Sequence, residues 1–121
     1  MTDDATRIVE AIRELIDANT QTIAQMEATN ALLTNGIDQL QDGVGVLEAL
    51  QVLPVAARRQ ATQDAFQRVV SARHRLRLRA IVACAAAGMG PLQIAEIWGV
   101  SRQRVAQYLA EAKKQALPVT T

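Results

Sequence analysis

A glycine between two apolar runs at helical spacing constrains this chain most. Leu92, Ile94, Ala95, Ile97 and Trp98 predict a short, largely buried helix, and Gly99 stands where that helix must stop, because glycine takes the left-handed backbone conformation without steric cost. Val100 is expected to drop between two helices and Ser101 to cap the second. Val105, Tyr108, Leu109 and Ala112 give that second helix its apolar face. Two helices that cross steeply need a small residue at the crossing. Ala95 before Gly99 and Val105 after it have the spacing of a helix-turn-helix.

Ile94-Ala95, Gly99-Val100-Ser101-Arg102 and the run from Val105 to Tyr108 closely resemble the promoter-reading helix-turn-helix, the fourth region, of bacterial sigma factors and of related resolvase-type and regulator domains. The resemblance implies binding to double-stranded DNA and leaves the DNA sequence open. Gly90 departs from it, standing where many relatives carry a Ser or Thr cap, although Pro91 suits the first helical position. With Arg102 to Ala112 as the recognition helix, the groove-facing, base-reading set is Ser101, Arg102, Gln103, Ala106 and Gln107. Arginine can pair bidentately with guanine, and glutamine with adenine. Arg104, Lys113 and Lys114 are placed as phosphate contacts; the two lysines have the alternative of a solvated last turn complementing the helix dipole.

The charge distribution supports this division of labour. From Met1 to Ala56 there are nine carboxylates and two arginines, a net charge of −7, whereas from Ala57 onward eleven bases face three acids, a net charge of +8. The basic half holds the reader; DNA would repel the acidic half, which suits a protein partner or a second copy. Arg73, Arg75, Arg77 and Arg79 fall on two flanks of one helix, since residues four apart share a face. Their mutual repulsion calls for an anion, either the phosphate backbone or acids of this protein or a partner. Phosphate is preferred, because the first helix of such motifs crosses the backbone. His74, the single histidine, has no second ligand beside it for a metal and is expected at the surface or next to phosphate.

The fold class that follows is all-α: an N-terminal acidic helical hairpin or coiled coil, a linking helix and a C-terminal helix-turn-helix. Half of the residues are hydrophobic but only 2% are aromatic, so the core must be aliphatic, and no stretch alternates as a strand. The expected organisation is an oligomerisation region over 1–53, a linking helix over 54–72, the DNA-binding domain over 73–117 and a tail over 118–121. Thr2 or Asp3 caps a first helix whose apolar stripe passes through Ile8, Ile12, Leu15, Ile16, Ile23, Met26 and Leu33. Asn19 and Asn30 interrupt that stripe, as a buried asparagine does where it fixes the register of a coiled coil. A helix packed inside its own domain is the alternative. Asn35-Gly36 predicts a turn, after which Ile37, Leu40, Val44, Leu47 and Leu50 form a second apolar face across Gly43 and Gly45. Those glycines mean either close packing or a break. A hairpin with exposed seams invites a second copy, so Ile8, Ile12, Leu15, Ile23, Leu33, Ile37, Leu40, Val44 and Leu47 are the expected oligomerisation residues. Leu53-Pro54 is a boundary, and Val55, Thr62, Phe66, Val69 and Val70 are the apolar side of the next helix. Residues 54–87 form either one helix or two.

Three functions fit these features. The first is a bacterial or phage transcriptional regulator that binds specific DNA as a homo-oligomer. The second is a sigma-like interaction factor that binds RNA polymerase or another partner, and the third is a largely nonspecific nucleoid or packaging protein. An enzyme is not expected: one His, one Cys, no glycine-rich phosphate loop and no paired carboxylates offer little chemistry. No cofactor is expected either. Cys84 alone can form no intramolecular disulfide, and no apolar stretch is long enough to span a bilayer, so a cytoplasmic, nucleoid-associated protein is expected.

Overall fold

The computed structural model describes residues 2–115, and every regular element among them is a helix, as the all-α expectation requires. The helices are α1 (Asp3–Gln41), α2 (Val46–Gln51), α3 (Val55–Ala86), α4 (Pro91–Trp98) and α5 (Arg102–Lys114). They form two compact units, Met1–Leu15 with Ser71–Thr121 and Ile16–Val70, to both of which α1 and α3 contribute. The tail expected over 118–121 lies outside the described residues.

Thr2 opens α1, its hydroxyl oxygen accepting the Ala5 N–H at 3.1 Å, and Asp3 and Asp4 occupy the first turn. The turn expected at Asn35-Gly36 does not form. α1 runs straight through it, and Gly36 is buried beneath Leu53, whose methyl carbons lie 3.7 and 3.8 Å from where a Cβ would stand. A glycine inside a helix costs only about 1 kcal/mol relative to alanine, which packing of this kind readily offsets. The break comes at Gly43, with φ at 88°. There the Gly43 N–H reaches the Leu40 carbonyl at 3.2 Å and the Val44 N–H reaches that of Gln39 at 3.0 Å, the paired bonds of a Schellman close. The second hairpin arm expected over 37–50 is therefore corrected. Ile37 and Leu40 belong to α1, Val44 lies in the loop, and Leu47 stands 71% exposed on the short α2. The returning arm is α3, which starts after Pro54 and continues unbroken to Ala86, so residues 54–87 hold one helix.

Within Ile16–Val70, small side chains carry the packing of α1 on α3. Ala18 and Ala65 are buried, and the Thr22 hydroxyl, 2.8 Å from the Ala18 carbonyl of its own helix, also reaches the Ala65 carbonyl of α3 at 3.3 Å. Such a bond to a neighbouring backbone is possible only where the helices approach closely. The Arg58 guanidinium donates to Gln25 Oε1 on the same face. The apolar side expected for α3 is thereby corrected: Val69 is buried, but Val55, Phe66 and Val70 are 65%, 47% and 55% exposed. Alanines took the interior because they let the backbones meet, and the bulky residues stand on another face. Ile16, Ile23, Met26 and Leu33 of α1 are exposed for the same reason. Among the described residues no helix is long and apolar enough to cross a membrane.

Candidate nucleic-acid interface

The basic unit is organised by the alanine-rich end of α3. Leu78, Ile81 and Val82 present one apolar face, on which Ile94 and Ala95 of α4 and Val105, Tyr108 and Ala112 of α5 close. Ile81, Ile94 and Val105 are the largest fully enclosed side chains. Gly99 ends α4 at φ 64°, the Val100 N–H turns back to the Ala95 carbonyl at 3.1 Å, and the small Ala95 is buried in the core shared with α5. Ser101 caps α5, its hydroxyl oxygen accepting the Arg104 N–H at 3.0 Å. Gly90 offers α4 no side-chain cap. Cys84 is half-buried against the core.

The largely buried α4 expected from its apolar residues is corrected. Only Ile94 and Ala95 are buried, while Leu92 and Ile97 are 56% and 62% exposed. A two-turn helix can present only one narrow stripe to a neighbour, and four bulky apolar residues exceed it. Trp98 is half-buried against the core, with its Nε1–H enclosed and unpartnered among the described residues.

On α5, Val105, Tyr108 and Ala112 face inward, and Ser101, Arg102, Gln103, Ala106 and Gln107 are all exposed. One outward surface at the start of the helix thus carries two amides, a guanidinium and a hydroxyl, the donor and acceptor types that read base edges. Arg104 lies with its guanidinium carbon 5.0 Å from the Tyr108 ring centre and donates from Nη1 to Gln107 Oε1 at 3.2 Å. It therefore holds the Gln107 side chain, one of those expected to read bases. Lys113 and Lys114 are exposed in the last turn.

The four α3 arginines differ. Arg73 is exposed, Arg77 and Arg79 are half-buried, and Arg75 donates from Nε to Glu14 Oε2 at 2.7 Å. Among the described residues Arg75 is the one of the four in an ion pair, so an acid of the same chain supplies its anion. Both partners are about half exposed, and pairs of that kind contribute roughly 0–1 kcal/mol. A phosphate could displace such a partner at little cost.

His74 brings with it a residue that pattern reading missed. Its side chain is 37% exposed and is paired rather than free. Its Nε2 lies 2.8 Å from Glu111 Oε2, and its ring centre 5.2 Å from that of Tyr108. The pair fastens α3 to the inner side of α5. Nothing local in the sequence links residues so far apart, although the placement of Glu111 near the inward stripe of α5 was a weak signal. Among the described residues no group of His, Cys, Asp and Glu is arranged to hold a metal.

No curated protein and no solved structure matches the chain. Residues 71–117 match the family model of a homeodomain-like domain. That span begins where the basic unit takes up α3 and contains the C-terminal half of that helix with the whole of α4 and α5, and the match is not to the sigma-factor region as such. Geometry and family likeness agree on a helix-turn-helix DNA-binding domain over this segment.

Proposed function

We propose that the protein is a sequence-specific regulator of bacterial or phage type that acts as a homo-oligomer, with α5 inserted in the major groove of double-stranded DNA. The observation that carries this reading is the outward face of α5, where Ser101, Arg102, Gln103, Ala106 and Gln107 are exposed together on a helix whose other face is locked into the core. In this reading Arg102, Gln103 and Gln107 contact bases, and Ser101 and Ala106 let the backbone approach. Arg73, Arg77, Arg79, Lys113 and Lys114 neutralise phosphates, Arg75 joins them by exchanging Glu14 for a phosphate, and Arg104 positions Gln107. No catalytic step is assigned to any residue.

Selection of bound sequences from a random duplex pool, followed by electrophoretic titration at several salt concentrations, tests the reading. It expects an enriched motif that is lost in the Arg102→Ala and Gln103→Ala variants. Equal affinity for scrambled duplex would replace it with the nonspecific packaging role. A second reading is favoured by Leu92 and Ile97, both more than half exposed on α4: a sigma-like factor that docks on RNA polymerase or another protein. That reading expects a tight protein complex, lost in Ile97→Asp, beside feeble DNA binding.

A further inference from the structure

The apolar residues left outside the α1–α3 packing form one surface. On α1 the residues Ile16, Ile23, Met26, Leu33, Ile37 and Leu40 are between 43% and 58% exposed. They lie along one face, roughly a quarter turn from the face bearing Ala18 and Thr22 that packs on α3. On α3 the exposed Val55, Phe66 and Val70 stand at a similar angle from the buried Ala65 and Val69. Leu33 and Phe66 both line an apolar groove of about 420 Å³ between the helices, so the two rows flank the same side of the hairpin. A two-helix hairpin with an apolar row on each helix, both on one side, is half of a four-helix bundle.

We infer that a second copy of this chain covers that surface, with α1 antiparallel to α1 of the partner in a single register centred between Ile23 and Met26. The α1 row advances by alternating steps of four and three, the heptad seam of a coiled coil, with Asn19 and Asn30 as its polar positions. The two asparagines stand symmetrically about the midpoint. In an antiparallel pair, setting Asn19 opposite Asn30 of the other copy brings Ile23 against Met26 and Ile16 against Leu33. Those layers are then apolar on apolar, and the two polar layers pair amide with amide. Sliding by a heptad in either direction buries an asparagine against aliphatic side chains, where its donors and acceptors go unmet. An unrelated partner helix gives no reason for this mirror placement.

The opposing arm agrees independently. Because Thr22 contacts Ala65, the midpoint of the α1 row falls level with Thr62 and Gln63 on α3. The same two-fold axis then brings Val55 against Val70 of the second copy, and the Arg59 guanidinium against the Phe66 ring, a cation–π pairing. The net −7 of the acidic half does not oppose this arrangement. Of the α1 acids only Glu27 stands beside the seam, and the register sets it opposite Thr20, while the others point away from the interface.

This inference rests on the homo-oligomeric part of the proposed function and fixes its geometry. The test uses the full chain carrying Cys84→Ser, with light scattering for mass and a short thiol cross-linker for register. The expected mass is twice 13.1 kDa. Asn19→Cys and Asn30→Cys chains are expected to cross-link when mixed and exchanged, and neither alone. Ile16→Cys and Leu33→Cys should behave the same way, so the result does not depend on removing an asparagine. Ile23→Asp is expected to give a helical monomer by circular dichroism. A monomeric parent chain would overturn both this inference and homo-oligomerisation. A dimer in which each single cysteine links to itself would overturn the antiparallel register alone, and DNA binding is scored separately from either.

Discussion

Ile94 and Leu92 offer a matched pair of perturbations on one short helix. Both are aliphatic, of equal size and two positions apart, yet Ile94 is 1% exposed and Leu92 is 56% exposed. Truncation to alanine removes three carbons in each case. At about 0.8 kcal/mol per buried carbon, Ile94→Ala forfeits roughly 2.4 kcal/mol of transfer free energy. The cavity left between α3 and α5 raises the expected cost to about 3–4 kcal/mol, within the usual range for such truncations. Leu92→Ala gives up less than half of the transfer contribution and leaves no enclosed void, so its cost is about 0.5–1 kcal/mol. At roughly 3–6 °C per kcal/mol for a chain of this size, thermal unfolding followed by circular dichroism should place the two variants about 10 °C apart or more. DNA affinity measured well below the transition should survive Leu92→Ala. Equal shifts for the two variants would refute the burial pattern of α4, and with it the orientation of the helix-turn-helix.

Arg102→Ala and Gln103→Ala should each lose about 1–3 kcal/mol of discrimination at one base position, read as relaxed preference in a binding-site selection. Lys113→Ala combined with Lys114→Ala should instead weaken binding to all sequences and flatten the dependence of log affinity on log salt by about one unit for each phosphate no longer neutralised. Gly99→Ala forces an L-residue into the left-handed region at φ 64° and should cost about 1–2 kcal/mol by thermal melt, although a Cβ there meets nothing within 4 Å. Ser101→Ala removes the oxygen that accepts the Arg104 N–H and should cost about 1 kcal/mol in the same assay.

Local rules made the reader legible. Gly99, Ser101 and the inward stripe of α5 act through their own backbone or through neighbours three and four residues away, and the structure holds each where periodicity and capping chemistry put it. What pattern alone could not resolve was which apolar residues a helix buries. Hydrophobicity ranks Ile above Ala, yet Ala18 and Ala65 are inside and Ile16 and Phe66 outside, because close helix approach rewards small size as much as apolarity. Asn35-Gly36 misleads for a related reason: a turn dipeptide is a weak local preference, and in a long helix with Leu53 packed over it that preference loses to continuing hydrogen bonds and contact. The His74–Glu111 bond joins residues on different helices and has no sequence period to betray it.

The exposed row on α1 and the buried row beside it answer different demands made of one helix. The alanine face needs close approach within the chain, which small residues provide, whereas a seam between copies needs large side chains to fill the wider spacing of interdigitated layers. Hydrophobic residues that fail to be buried in one chain are therefore the expected signature of an interface. The proposed dimer makes a direct prediction about where they can be spared. Ile23→Ala should weaken self-association with little effect on helicity, whereas Ala65→Leu, aimed at the contact with Thr22, should lower thermal stability by pushing α1 and α3 apart, at about 1–3 kcal/mol for overpacking. A loss of helicity in Ile23→Ala equal to that in Ala65→Leu would mean that the exposed row serves the fold of the single chain, and that the division of labour between the two faces is wrong.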